Sequence, residues 1–307
     1  MPPATLLKRL LHEARLVAVA LQFLTRVPVR LARFDPQWLH DSARHFPLIG
    51  ALVGASGAVV LLATAQVWPP LLAVLLSMAA TVWLTGGFHE DGLADTCDGL
   101  GGSVNRERAL LIMKDSRLGS YGALGLGLTL ALKAAALAHL AGLGMGLGLG
   151  QGQGQSQLME LGQGLGLAAA ALVLAHGLSR GAAVVLLATM PYGGDADHAK
   201  AKPMAQQISG GGLAVALGWC ALLLVGMAWA GWAWAGAAGL AGPAGVRLTP
   251  LRLLLALGAV ALVVVVCGRW LHQRLGGYTG DGLGATQQWS ELAVYLVLAA
   301  DGGRWWL

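Results

Sequence analysis

Glu90, Asp91, Asp95 and Asp98 stand within nine residues of one another, in the stretch TGGFHEDGLADTCDGLGG from Thr85 to Gly102. The chain has only 15 acids in 307 residues, so four of them here is a strong local excess. If the stretch is helical, Asp91, Asp95 and Asp98 fall at i, i+4 and i+7, on one face. Three carboxylates on one face repel unless a cation or an arginine sits among them. Oxygen-only ligands suit a hard ion, and Mg2+ held by a few carboxylates together with substrate phosphates is the usual arrangement. This reading makes Asp91, Asp95 and Asp98 the metal ligands, with Glu90 as an outer or alternative one. His89 and Cys97 lie in the same stretch, but one His and one Cys without further nitrogen or sulfur ligands do not make a typical zinc site. The competing reading is that the acids cap helices or mark a polar loop. It leaves four charges beside an apolar run without a partner, which is costly.

Positive charge is available nearby. In NRERALLIMKD, Asn105 to Asp115, apolar residues at 109, 110, 112 and 113 are flanked by charge, the pattern of an amphipathic helix along an interface. Ser103 or Asn105 could cap it. Lys114 and Arg117 follow, with Asp115 between them, and could bind phosphate oxygens, Arg through a bidentate fork and Lys as a point charge. Asp115 either adds a metal ligand or holds Arg117 in place. The alternative for this cluster is a purely topological role. Arg26 lies inside an apolar run rather than beyond it, and Arg180 lies within a span. Charges so placed usually face a bundle interior or a water-filled cavity, so both are candidates for substrate binding.

A second motif stands near the end of the chain. GGYTGDGLG, Gly276 to Gly284, aligns with GGFHEDGLA, Gly86 to Ala94, as Gly-Gly-aromatic-x-x-Asp-Gly-Leu-small. Either the chain has two related halves, or two segments have converged on one local geometry. Repeat-built membrane proteins place their sites between the repeats, so Asp91 and Asp281 are expected to approach each other.

The elements that must position these residues are apolar. The composition is 56% hydrophobic and 11% charged, against about 25% charged in a soluble domain. Too little polar surface remains to cover a globule. Several runs reach the roughly 20 residues that span a bilayer core, without the alternation of a transmembrane strand. The expected fold is an all-α, polytopic integral membrane protein of about six to eight transmembrane helices, with a possible two-half repeat, forming a single domain over residues 1–307. Residues 1–45 read as an interfacial or re-entrant segment: 1–15 as an amphipathic helix on the anionic leaflet, without a cleavable signal pattern, and 16–29 as a short run ended by Arg26 and Pro28. The arginines from 26 to 44 read as cytoplasmic. Phe46 to Gln66 is a span whose Gly50, Gly54 and Gly57 allow close helix approach, and Leu71 to Leu84 returns to the acidic motif. Leu118 to Leu140 is a span in which Lys133 is expected to snorkel toward an interface. Residues 142–166, rich in Gly, Leu and Gln, read as a flexible loop. Leu167 to Met190, Leu213 to Leu240 and Leu251 to Cys267 complete the spans, with a polar segment at Pro191 to Gly212. Leu292 to Ala300 joins Leu283 to Glu291 if the two form one helix. The three cysteines suggest neither a disulfide framework nor a CxxC site. Neither a Walker A pattern nor a nucleophile–His–acid triad is present. Glycine-rich turns beside acids and bases at a membrane suggest metal-assisted phosphoryl-type transfer.

LTGGFHEDGLADTCDGLGG followed by RALLIMKDSRLGSYG resembles the motif of the cobalamin synthase (adenosylcobinamide-GDP ribazoletransferase) family. FLTRVPV at Phe23 to Val29, FPLIGALVGA at Phe46 to Ala55 and GGYTGDGLGATQQWSE near the end are similar to it as well, in the expected order. The resemblance implies an enzyme of the cytoplasmic (inner) membrane, its active site facing the cytoplasm, in the last steps of cobalamin assembly. It implies Mg2+ as cofactor, and adenosylcobinamide-GDP and α-ribazole (or α-ribazole 5′-phosphate) as substrates, with GMP released. Lipid and other late-pathway enzymes are the further partners it implies, and nucleic acid is not among them. Beside that resemblance, Asp281 is expected to complete the metal site or to act as base toward the attacking hydroxyl. His89 is a second base candidate, a structural hydrogen bond being the alternative. Two other functions compete. A different Mg-dependent membrane phosphotransferase, of the CDP-alcohol type, would need D-G-x2-A-R and a matching second half, whereas DGLAD puts Ala94 one place early and lacks the Arg. A two-half transporter would place its acids at mid-bilayer, whereas these acids are expected in polar loops after the spans.

Overall fold

The computed structural model describes residues 3–31, 33, 35–102, 105–143, 154–194, 208–237 and 248–300. Among them the chain is all-helical. Its helices are α1 (Pro3–Leu24), α2 (Pro36–Ser42), α3 (Phe46–Thr64), α4 (Pro70–Thr85), α5 (Phe88–Gly101), α6 (Arg106–Met113), α7 (Ser120–Ala138), α8 (Gly154–Thr189), α9 (Gly210–Ala237), α10 (Pro250–Leu275) and α11 (Gly280–Ala299). Among the described residues five segments are long and apolar enough to cross a membrane: Pro36–Thr64, Ser120–Gly142, Gly162–Thr189, Gly210–Ala233 and Pro250–Leu275. A sixth results if α4 and α5 count as one broken or re-entrant span. The expected polytopic helical fold is therefore present, with five or six candidate spans among the described residues against the six to eight expected.

Helix boundaries follow local chemistry. Asp35 caps α2 by accepting from the Gln37 amide at 2.9 Å, Asn105 caps α6 through Arg108 N–H at 2.9 Å, and Thr279 caps α11 through Gly282 N–H at 3.0 Å. Such caps satisfy amides that have no intrahelical partner. Asn105 is one of the two caps expected; Ser103 lies outside the described residues. Gly86, with φ +74°, and Gly87, with φ +71°, occupy the left-handed region at the end of α4. That conformation is nearly free to glycine and costly to other residues. Two in succession turn the chain through 89° into α5.

The packing is tightest between α3 and α8. A Cβ at Gly50 or Gly54 would collide with the carbonyl oxygens of His176 or Leu172, and one at Gly57 would come within 2.7 Å of the Thr81 methyl. The glycines expected to permit close approach do so. Ser77 Oγ adds a hydrogen bond to the Gly57 carbonyl at 2.7 Å, tying α4 to the same surface. The last apolar stretch does join Leu283 to Glu291, forming the single helix α11. It sits deep in the bundle, with Ala285, Val294, Tyr295 and Leu298 all buried.

Four expectations are corrected. The acids do not lie in a polar loop, because Glu90, Asp91, Asp95 and Asp98 are all on α5. The amphipathic segment 1–15 and the apolar run after it form one continuous helix, α1, as far as described. Residues 154–166, expected as loop, belong to α8, while 144–153 lie outside the described residues. Lys133 does not snorkel. It is 3% exposed, and its ammonium pairs with Glu291 at 2.8 Å. Asp195, Asp197, His198, Lys200 and Lys202 of the polar segment also lie outside the described residues.

Candidate functional site

The bend after α4 produces the site. Gly86 exposes its backbone, and the Arg26 side chain lies over it, with Nε 2.8 Å from where a Cβ would be. Arg26 N–H donates to the Leu84 carbonyl at 2.8 Å, joining FLTRVPV to the acidic motif. An open pocket of about 620 Å3 results, lined among others by Arg26, Thr25, Gly87, Phe88, Glu90 and Asp91. Arg26 was expected to be a buried charge. It is exposed, at the pocket rim. One guanidinium and two acidic residues border one opening of mixed polar and apolar lining, an arrangement suited to a phosphate and a counter-cation.

The second motif reaches the same place. The N-terminus of α11 packs on α5, and a Cβ at Gly92 would come within 3.0 Å of the Asp281 Cα and carbonyl oxygen. Gly284 in turn lies against the His89 backbone, its Cβ position 3.2 Å from that carbonyl oxygen. Asp281 therefore sits beside the residue that follows Asp91, as the shared pattern led one to expect.

Other expected residues point elsewhere. Asp98 is on the Asp91 face but seven residues on, about 10 Å along the axis. Ligands of one Mg2+ stand within about 2.1 Å of it, so Asp91 and Asp98 do not meet on a single ion. The Asp98 carboxylate instead accepts from Gly119 N–H at 2.7 Å and Gly122 N–H at 2.8 Å, capping α7 from a neighbouring helix. Asp115 accepts from Arg117 Nε at 3.0 Å. That exposed guanidinium holds the Asp115 carboxyl down at about 2, in favour of the pairing alternative over the ligand one. Lys114 is exposed at the end of α6, and Arg117 is exposed on the following turn, which Asp98 anchors. Neither lines the open pocket. Among the described residues no three His, Cys, Asp or Glu side chains converge to hold a metal ion by themselves.

His89 and Arg180 are buried, 5% and 2% exposed. His89 is two residues before Asp91, on the opposite side of α5, and does not line the open pocket. Arg180 donates to the His176 carbonyl at 2.9 Å. Both belong to a polar network inside the bundle that was not foreseen. Lys133 donates to Gln288 Oε1 at 2.6 Å as well as to Glu291. Gln287 Nε2 donates to Glu291 Oε2 at 2.7 Å and to Ser179 at 3.0 Å. Tyr295 donates to Glu291 at 3.2 Å. Gln288 Nε2 donates to Glu90 Oε1 at 2.9 Å. A cavity of about 20 Å3, room for a single water, lies between Glu90, Lys133, His176 and Glu291. Glu90 thus borders both the open pocket and the buried network. Its Oε2 is buried without a hydrogen-bond partner among the described residues, as is Arg180 Nε. A usable signal was present in the sequence: Glu291 is an acid in an apolar stretch, which in a membrane protein marks a functional-site candidate.

Fold and pocket together define a polytopic helical membrane protein with carboxylates and an arginine around an open site. The chain belongs to the cobalamin-5-phosphate synthase family, whose profile matches residues 16–299. It is 57% identical to an adenosylcobinamide-GDP ribazoletransferase of Leptothrix cholodnii over 288 residues, 94% of this chain and 96% of that one. Proteins of the same name from Polaromonas naphthalenivorans and Shewanella amazonensis are 43% and 40% identical, over 95% and 94% of this chain and 100% and 95% of theirs. No solved structure matches the chain.

Proposed function

We propose that this chain joins adenosylcobinamide-GDP to α-ribazole or α-ribazole 5′-phosphate, with release of GMP, at the open pocket beside the α4–α5 bend. A ribose hydroxyl oxygen bonds to the phosphorus attached to the corrinoid arm, and the bond from that phosphorus to the GMP oxygen breaks. The observation that carries this reading is the pocket itself: it places Arg26, Glu90 and Asp91, from two of the family-like motifs, around one opening. Arg26 holds phosphate oxygens. Asp281, beside Gly92, takes the hydroxyl proton or joins the carboxylates. GMP leaves as a phosphate monoester.

The residues present fit Mg2+. The donors are oxygens, Asp91 is exposed and lines the pocket, and Glu90 Oε2 has no hydrogen-bond partner among the described residues. Asp91, with one further carboxylate from Glu90, Asp95 or Asp281, would hold the ion, and the substrate's diphosphate would complete its shell. One or two protein carboxylates plus phosphates are the usual share for this ion. Bound there, Mg2+ neutralises charge on the diphosphate. The proposed location is the cytoplasmic membrane, with the pocket open to the cytoplasm. The basic stretch Arg26 to Arg44 supports that orientation.

The test is incubation of the purified protein, in detergent or liposomes, with adenosylcobinamide-GDP, α-ribazole and Mg2+. GMP and a cobalamin product are expected in equal amounts. Folded protein that yields neither defeats the proposal, and full activity in EDTA defeats its metal part.

A further inference from the structure

We infer that Gln288, itself held by Lys133, is a positioning residue that fixes the Glu90 carboxylate at the boundary between the open pocket and the buried network. The inference rests on the function proposed above. It starts from the two ends of one amide. Gln288 is 2% exposed, and Lys133 is 3% exposed. The Lys133 ammonium has donors only, so it takes the amide oxygen, Oε1, at 2.6 Å. The NH2 end must then face the other way. Its two hydrogens go to Glu90 Oε1 at 2.9 Å and to Gln287 Oε1 at 2.9 Å. Gln287 is oriented in turn, because its own NH2 serves Glu291 and Ser179. No member can flip without setting donor against donor or acceptor against acceptor. The Lys133–Glu291 pair thereby specifies which end of Gln288 meets Glu90.

The consequence falls on the pocket. Glu90 has one oxygen committed to Gln288, and the other is buried with no hydrogen-bond partner among the described residues. A glutamate on a surface helix samples several rotamers, and holding one in place removes that loss of freedom from the reaction. A purely structural role would need only a filled volume or a satisfied bond. A positioning role needs the donor at residue 288 and the carboxylate at residue 90, and not the reverse.

That asymmetry gives the test. Turnover and KM for adenosylcobinamide-GDP are measured in liposomes for wild type, Gln288→Leu, Glu90→Gln, the double variant Glu90→Gln/Gln288→Leu and the exchange variant Glu90→Gln/Gln288→Glu, with thermal midpoints in detergent beside them. Gln288→Leu is expected to lower kcat about 30-fold with KM changed less than about twofold, as misplacement of a reacting group does. Added to Glu90→Gln, it is expected to cost less than about threefold more, because residues acting as a unit are not additive. The exchange variant restores an amide–carboxylate contact, and it can still form if Gln288→Leu does not fold. Its midpoint is expected to return toward wild type while kcat stays low. Recovery of both midpoint and turnover, wild-type kcat in Gln288→Leu, or additive losses would each overturn the inference while leaving the function intact. Wild-type protein that releases no GMP would overturn both.

Discussion

Helices α5 and α11 follow the same nine-residue pattern but sit in opposite surroundings. In α5 both glycines are left-handed and the helix starts at once, so Asp91 is its fourth residue. In α11 only Gly276 has a positive φ, at +78°, and Asp281 is the second helical residue. The next residues of the second motif are drawn away: Tyr278 N–H donates to the Pro191 carbonyl at 2.9 Å, and Gly193 N–H donates to the Tyr278 carbonyl at 2.8 Å. The aromatic residue records the outcome. Phe88 is 47% exposed at the pocket, and Tyr278 is 1% exposed. One copy of the pattern thus opens a site. The other packs behind α5, against Gly92 and the His89 backbone, and brings in the buried polar network. A shared turn chemistry fixes how a helix begins, and tertiary partners decide which way it faces.

Four substitutions sharpen or break this contrast, from the largest effect to the smallest. Asp91→Ala, on the open copy, is expected to lower kcat/KM for GMP release about 1,000-fold, the scale of losing a group that acts on developing charge, with an unchanged thermal midpoint. Near wild-type turnover would remove α5 from the chemistry. Lys133→Met acts on the buried copy. It strands Glu291, whose removal from water is offset only by its partners, and is expected to cost about 3 kcal/mol of stability. An unchanged midpoint in detergent would show the ion pair to be dispensable. Asp98→Ala removes the cap on α7 and is expected to cost about 1–2 kcal/mol. Any activity loss beyond what instability accounts for would return Asp98 to the site. Arg117→Ala touches neither copy. Arg117 lowers the folded-state pKa of Asp115 to about 2, so the pair contributes above the ordinary carboxylate range and fades as pH falls toward 2. Exposed pairs are screened, and melting from about pH 5 to about pH 8 is expected to match wild type.

The contrast also explains what was legible in the sequence. Spans were legible because lipid demands long apolar runs, and the α6 cap because Asn105 acts on an amide only three residues on. The approach of Asp281 to α5 could be read from two like motifs. The inward face of α7 could not. Its neighbours are apolar all round, so periodicity gives Lys133 no direction, and its partner Glu291 is 158 residues away. The i, i+7 spacing of Asp91 and Asp98 gave the face correctly but not the distance along the axis. The Gly- and Gln-rich stretch before residue 167 reads as loop by composition, yet helix is present from Gly154, where packing overrides a weak propensity.

Two arginines described by their bonds alone carry a last consequence. Arg274 donates to the carbonyls of Leu100 and Gly102 at 3.0 and 2.9 Å, and Arg106 to those of Leu275 and Gly193 at 2.9 and 2.8 Å. These fasteners join the end of α5 and the start of α6 to the end of α10, across as many as 174 residues of chain. A ribosome releases α5 long before it makes α10 or α11. Every residue that lines the pocket, from Phe23 to Leu126, is made before them, so the acidic helix must enter the membrane with its pocket side complete and its back still without the partners that later enclose it.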